Sequence, residues 1–181
     1  MRKLIYLFLV ASIFLSCTNK DSNQQDTDEE PVRTVEIMGV DQMKYVVETD
    51  AEKIGTSGTL KTSDGESYLL LDNIEANPGE TLKIRLTAIS ELPPTQMSHN
   101  WILLQPDVDP KAFAKEAITA KARNYIPEKR TEDIIARTAL ASGGDTVEVT
   151  FTVPEEPGEY DYLCSFPGHF SGGMSGKLIV Q

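Results

Sequence analysis

The chain has 181 residues, with 28 acidic side chains against 17 basic ones and a formal net charge of -11 at pH 7. That balance excludes nucleic acid as a partner, because a polyanion is held by a positive face. Cys17 and Cys164 are the only cysteines, too few for a disulfide framework.

The chain opens with Arg2 and Lys3, continues through the apolar run Leu4 to Leu15, and reaches Ser16 before Cys17. Residues 1–16 therefore read as an export signal, too short to span a bilayer comfortably. Its end, Phe14-Leu15-Ser16-Cys17, resembles the bacterial lipobox, after which Cys17 is the first mature residue and carries lipid. Several acyl chains, each contributing about 0.8 kcal/mol per buried methylene, anchor a protein without a spanning helix. Thr18 follows Cys17 where an Asp is the inner-membrane retention signal, so by resemblance to known sorting rules the outer membrane is favoured, on its periplasmic or cell-surface face.

Residues 17–32 then form the lipidated cysteine and a polar, acidic tether without aromatics, unable to bury enough surface to offset its ordering entropy. Removing Arg2 and Lys3 with the signal leaves 15 basic against 28 acidic residues, a net of -13. With Cys17 lipidated, Cys164 has no disulfide partner. The remaining residues, 33–181, fit one domain.

Within that domain Ser63-Asp64-Gly65 predicts a hairpin turn, and Asn77-Pro78-Gly79 precedes Thr81–Ala88, where Leu82, Ile84, Leu86 and Ala88 alternate with polar residues. Asp109 to Arg123 is Ala- and Lys-rich, with Pro110 near the first helical position, and predicts a helix of about three turns inserted between strands. Thr146–Val153 places Val147, Val149, Phe151 and Val153 on one face of a strand. After Glu156-Pro157-Gly158, Tyr160, Tyr162 and Cys164 share a face, and Leu178 and Val180 alternate in the last strand. Short alternating strands separated by Pro/Gly turns predict an antiparallel β-sandwich or barrel.

The run Cys164-Ser-Phe-Pro-Gly-His169-Phe-Ser-Gly-Gly-Met174 brings a thiolate, an imidazole and a thioether within eleven residues. The only other histidine is His99, in Met97-Ser-His-Asn-Trp101. Two imidazoles, one thiolate and a weak axial Met are the donor set of a blue-copper electron-transfer site. Pro167-Gly168 turns His169 back toward Cys164, and Gly172-Gly173 turns the loop again before Met174. Taken singly, each of these residues reads as ordinary core; the joint spacing is what points to one copper ion.

Val35 to Tyr45, Leu92-Pro93, Met97-Ser-His-Asn-Trp101, the inserted helix and Cys164 to Gln181 together resemble the azurin and auracyanin branch of the cupredoxins. The resemblance implies an eight-stranded Greek-key sandwich with a helical flap and single-electron exchange with redox proteins such as a cytochrome or a copper enzyme, with no small-molecule substrate. It also implies that Asn100 ties the His99 strand to the Cys164 loop, and that an apolar surface of Leu92, Met97, Phe166, Pro167 and Phe170 frames the edge of His169. Packing of those residues into the sandwich end is an equal alternative. Met174 lies five residues after His169, as in auracyanin-like proteins. Ser98 stands where azurin has a glycine whose carbonyl approaches copper, so a weak fifth contact through the Ser98 carbonyl is open. Residues 46–72 are longer than the family pattern and accommodate an extra hairpin.

Three other readings compete. A thiol hydrolase built on Cys164 lacks an oxyanion hole or orienting group at recognisable spacing. A multicopper oxidase needs more than two histidines. A copper carrier uses the same ligands, and the exchange rate of bound metal separates it from an electron carrier.

Overall fold

The computed structural model describes residues 32–62 and 65–181. The export signal, Cys17 and the acidic tether up to residue 31 lie outside the described residues, as do Ser63 and Asp64 of the expected hairpin turn.

Five strands come first: β1 (Arg33–Val40), β2 (Lys44–Val47), β3 (Ile54–Lys61), β4 (Ser67–Ala76) and β5 (Thr81–Ile89). The short β6 (Ser98–His99) and β7 (Ile102–Leu104) follow, then the helix α1 (Pro110–Ala117). The chain closes with β8 (Ile134–Arg137), β9 (Ala141–Ser142), β10 (Thr146–Thr152), β11 (Gly158–Leu163) and β12 (Ser175–Val180). Ten strands form one continuous sheet in the order β10-β5-β1-β2-β4-β12-β11-β7-β8, with β3 paired to β4, while β6 and β9 form a separate two-stranded ladder.

The long strand β4 joins the two layers, pairing with β2 through Leu69 and Leu70 and with β12 through Asn73 to Ala76. β1 runs parallel to β5, and β12 parallel to β4, so the chain crosses between layers as a Greek key requires. The protein is thus all-β with a helical flap, and residues 46–72 contain β3 and most of β4, which pair as a hairpin whose register is broken at Gly55/Thr56 and Thr56/Thr59. Bulges of this kind twist an edge strand away from further pairing.

Strand alternation fills the core as expected. Leu82, Ile84, Leu86 and Ala88 are all fully buried, and β10 alternates half-buried with exposed residues from Thr146 to Thr152. Val35, Ile37, Leu82, Ile84 and Leu86 of one layer meet Ile74, Leu103, Tyr160, Tyr162 and Leu178 of the other in a single cluster. Trp101 lies in that cluster as a core residue, with ring centroids 5.5 Å from Tyr162 and 5.8 Å from Phe151.

The inserted helix is shorter than its composition predicts. α1 starts where Asp109 caps it by accepting from the Lys111 N–H at 2.9 Å and Pro110 takes a first-turn position. It ends at Ala117, after which Thr119 turns its hydroxyl onto the Glu116 carbonyl at 2.9 Å. Such a side chain offers the backbone an alternative to further helical bonding. Residues Lys121–Arg123 form a separate 3-10 turn closed by Asn124 in the left-handed region. Phe113 of α1 packs with Ile102, Leu104, Ile126 and Leu163, so the flap covers the outer face of β7 and β11.

Candidate metal centre

His99 sits at the end of β6, which is held by β9 through the pairs Ser98–Ser142 and His99–Ala141. The chain leaving His99 is fixed on both sides: the Tyr45 hydroxyl donates to the Asn100 carbonyl at 2.5 Å, and the Trp101 N–H donates to Thr138 Oγ1 at 3.0 Å. Gly39 of β1 lies against the imidazole, where an added Cβ would stand 2.6 Å from His99 Cγ. Ser98 is buried and donates its hydroxyl to the Pro94 carbonyl at 2.8 Å.

Cys164 follows β11 directly, on the same face as buried Tyr160 and Tyr162. The loop after it closes on itself. His169 N–H donates to the Phe166 carbonyl at 3.1 Å, Met174 N–H to the His169 carbonyl at 2.9 Å, and Cys164 N–H to the Met174 carbonyl at 3.1 Å. Gly168 and Gly173 adopt φ of 88° and 87°, a region that favours glycine, which is why this chain can turn twice within a few residues.

These elements bring His99, Cys164 and His169 together, with one donor atom from each lying within 4.8 Å of the others. Cys164 Sγ is 3.4 Å from His169 Nδ1, and the two imidazole centroids are 4.9 Å apart. His99, Cys164 and Met174 are 0% exposed and His169 2%. Both nitrogens of His99 are buried without a hydrogen-bond partner, which is costly for a polar ring unless a ligand takes them up.

Burial sets the protonation states. It pushes His99 down to about 3, helped by the neighbouring His169 charge, and His169 down to about 4. Both imidazoles are thus neutral donors at neutral pH. Burial pushes the Cys164 thiol up to about 12, against backbone hydrogen bonds from Asn100 and Phe166 that favour the thiolate. A thiol so placed ionises when a cation sits beside it. Neutral imidazoles and a sulfur released by metal binding fit copper by the chemistry of the donor set.

The Asn100 side chain joins the two halves of the site, donating to Ser165 Oγ at 2.8 Å and accepting from Ser165 N–H at 2.9 Å. The rim of His169 differs from the expected surface. Leu92 is 41% exposed and Pro167 and Phe170 are half-buried, whereas Met97 and Phe166 are only 8% and 6% exposed. Phe166 lies between the rings of Tyr125 and His169, at centroid distances of 5.0 and 4.8 Å, and Phe170 packs against the α1 cluster. Packing therefore claims Phe166 and Met97, and the accessible apolar rim is narrower than the sequence suggests.

Met43 and Lys44 escaped the sequence reading. They precede and begin β2, and Lys44 Nζ donates to the Gly172 carbonyl at 2.8 Å. The only sequence signal was the glycine pair itself.

A Greek-key sandwich with a buried His₂Cys cluster and a methionine closing the same loop is a cupredoxin with a type 1 copper site. The family of copper-binding proteins described as the plastocyanin/azurin family matches residues 56–181, and the chain belongs to that family. Among its relatives, auracyanin-A of Chloroflexus aurantiacus is 39% identical over 123 residues, covering 66% of this chain and 71% of that protein. An azurin of Achromobacter denitrificans is 31% identical over 126 residues, covering 68% and 83%. The solved structure of auracyanin A, described as a "blue" copper protein, superposes with a TM-score of 0.61 at 30% identity, covering 83% of this chain and all of that one. The chain is thus of the azurin/auracyanin type, binds one copper and belongs to a family of electron carriers.

Proposed function

We propose that His99, Cys164, His169 and Met174 would hold the copper, with a weak fifth contact through the Ser98 carbonyl left open. The observation that carries this reading is the meeting of three buried donors within 4.8 Å of one another. Copper supplies a one-electron couple between its +1 and +2 states. Cys164 would release its proton to solvent on taking up the metal, and His99 and His169 would bind as neutral imidazoles.

Fast exchange follows from what these residues do around the metal. Their burial excludes water, so little solvent reorganises when the charge changes. β6 is fastened by β9, Tyr45 and Asn100, and the Cys164–Met174 loop is fastened by its own hydrogen bonds, so the donor positions are constrained in both oxidation states. Leu92, Pro167 and Phe170, the exposed and half-buried members of the apolar rim that the family resemblance sets around His169, are the electron port, suited to a weak, short-lived encounter with a cytochrome or copper enzyme. The protein carries electrons and transforms no small-molecule substrate.

The same reading places the domain on a membrane through lipid at Cys17, with residues 18–32 as the tether, at the outer membrane rather than the inner. It rests on the apolar run ending at Ser16-Cys17 and on Thr18 after it. Among the described residues no helix is long and apolar enough to cross a membrane. The deciding experiment is a visible spectrum of the full chain in detergent with one equivalent of Cu(II). An intense thiolate-to-copper band is expected, and colourless copper-bound protein overturns the ligand set.

A further inference from the structure

The glycine pair in the ligand loop has a matching pair of side chains on another strand. Val40 and Met43 close a tight turn, Met43 N–H donating to the Val40 carbonyl at 2.9 Å, with Met43 at a φ of 55°. That conformation is uncommon for a residue with a side chain. It presents two consecutive side chains to the loop. A Cβ on Gly172 would stand 3.0 to 3.1 Å from Met43 Cβ, Cε and Sδ, and a Cβ on Gly173 would stand 2.4 Å from Lys44 Nζ. The two missing side chains thus make the seat that Met43 and Lys44 occupy.

Lys44 fills its seat with a directed bond, Nζ to the Gly172 carbonyl at 2.8 Å across 128 residues of sequence. Among the described residues the other hydrogen bonds of residues 168–174 run within the loop, including Gly172 N–H to the Gly168 carbonyl and Gly173 N–H to the Phe170 carbonyl, both at 2.9 Å. Among the described residues Lys44 is therefore the one side chain outside the loop that is hydrogen-bonded to it there. It is half-buried and, among the described residues, has no carboxylate within 4.0 Å, in a chain that carries an excess of acidic residues.

We propose that Lys44 is a positioning residue for the copper site: its ammonium pins the Gly172–Met174 turn from β2, and its positive charge favours the reduced, less positive metal. The proposal rests on the ligand assignment above. Both effects act on the step between His169 and Met174. The bond fixes the backbone from which the Met174 side chain hangs, and a cation held by a half-buried bond is screened less than one free in water.

The test compares the full chain in detergent with its Lys44→Met and Lys44→Arg variants in two measurements. The first is amide hydrogen exchange at Gly172, Gly173 and Met174 in copper-free protein. Lys44→Met is expected to speed it about tenfold, since local opening is governed by the bonds that hold a segment. The second is the midpoint potential of the copper-loaded protein. Lys44→Met is expected to lower the Cu(I)-to-Cu(II) affinity ratio about tenfold, which is a fall of about 59 mV for one electron, while Lys44→Arg stays near wild type. Unchanged exchange in Lys44→Met, or a potential that is unchanged or higher, overturns the proposal. A wild-type chain that binds no copper overturns the ligand assignment instead, and the exchange measurement still decides whether Lys44 holds the loop.

Discussion

Asn100 and Ser165 grip each other twice, the Asn100 amide donating to the Ser165 hydroxyl at 2.8 Å and accepting from the Ser165 N–H at 2.9 Å. Both residues are 1% exposed. Replacing Asn100 with Leu strands a buried N–H and a buried hydroxyl together, at about 1–3 kcal/mol for each unsatisfied group. Replacing Ser165 with Ala keeps the backbone bond and loses only the other. Urea unfolding is therefore expected to rank Asn100→Leu below Ser165→Ala below wild type, with about 3 kcal/mol lost in the first. Equal stabilities for the two variants would show that the backbone bond contributes nothing.

Acid stability has its own marker at the far edge of β5. Burial alone would raise the Glu80 carboxyl, but the hydrogen bonds from Arg33 and the Asn77 N–H, with the charges of Arg33 and Lys53, outweigh it and hold the group below the usual carboxylate range. A carboxylate depressed on folding contributes stability that is complete above its unfolded value, 4.5, and is lost as pH falls through the lower folded value. Arg33→Met removes the first of these partners and leaves Glu80 half-satisfied. Acid unfolding of that variant is expected to begin at higher pH than in wild type, while the two curves keep a constant offset above pH 6. The offset is expected to shrink as pH falls below 4.5, and an offset that stays constant through the acid limb would rule out this pair as a source of pH dependence.

Cys164→Ser separates the metal from the fold. Serine keeps the shape of the site, the N–H of residue 164 still donates to the Met174 carbonyl, and the neighbouring Ser165 N–H still donates to Asn100 Oδ1, but a hydroxyl is a poor copper donor. The visible band is expected to vanish while far-ultraviolet dichroism stays as in wild type. In the unaltered protein, copper is expected to cycle reversibly between oxidation states and to resist transfer to a chelator for many minutes, since all four donors are buried. Rapid transfer would favour the copper-carrier reading.

The His–Cys–His cluster and the sandwich are legible in local patterns: Cys164 and His169 share one loop, and alternation in Thr81–Ala88 and Thr146–Val153 is a property of neighbours. What was hidden is what depends on distant contacts. Lys44 meets Gly172 across 128 residues, and nothing around Lys44 in sequence announces it. Composition predicts helix past Ala117 because alanine and lysine favour helix at every position, whereas the Thr119 hydroxyl and the left-handed Asn124 and Tyr125 accompany the end of this one. Phe166 and Met97 read equally as surface or core, since an apolar side chain beside a ligand has the same pattern in either role; the Tyr125 ring settles it for Phe166.

Lipid attachment is tested on the cell. Cys17→Ala is expected to abolish fatty-acid labelling and either to move the protein out of the membrane fraction or to block lipid-dependent processing, because among the described residues no helix is long and apolar enough to cross a membrane. Labelling that persists in the variant places the lipid elsewhere.

The electron port yields the sharpest contrast, between two apolar residues that the sequence treats alike. Leu92 is 41% exposed and Met97 8%, although both lie on the segment that leads into His99. If electrons pass through the rim over His169, a charge at Leu92 adds a strongly hydrated group where two molecules must meet and leaves the core untouched. A charge at Met97 must be buried or must push its way out, at about 1–3 kcal/mol or more for an unpaired polar group. Leu92→Lys is therefore expected to slow self-exchange several-fold, with thermal unfolding and the copper spectrum nearly unchanged. Met97→Lys is expected to lower the unfolding midpoint by several degrees, with or without an effect on exchange. Measuring NMR line broadening in mixtures of the two oxidation states, alongside thermal unfolding, checks both. Self-exchange unaltered in Leu92→Lys would move the port away from this rim, and an unaltered midpoint in Met97→Lys would mean that the segment before β6 opens more readily than its burial indicates.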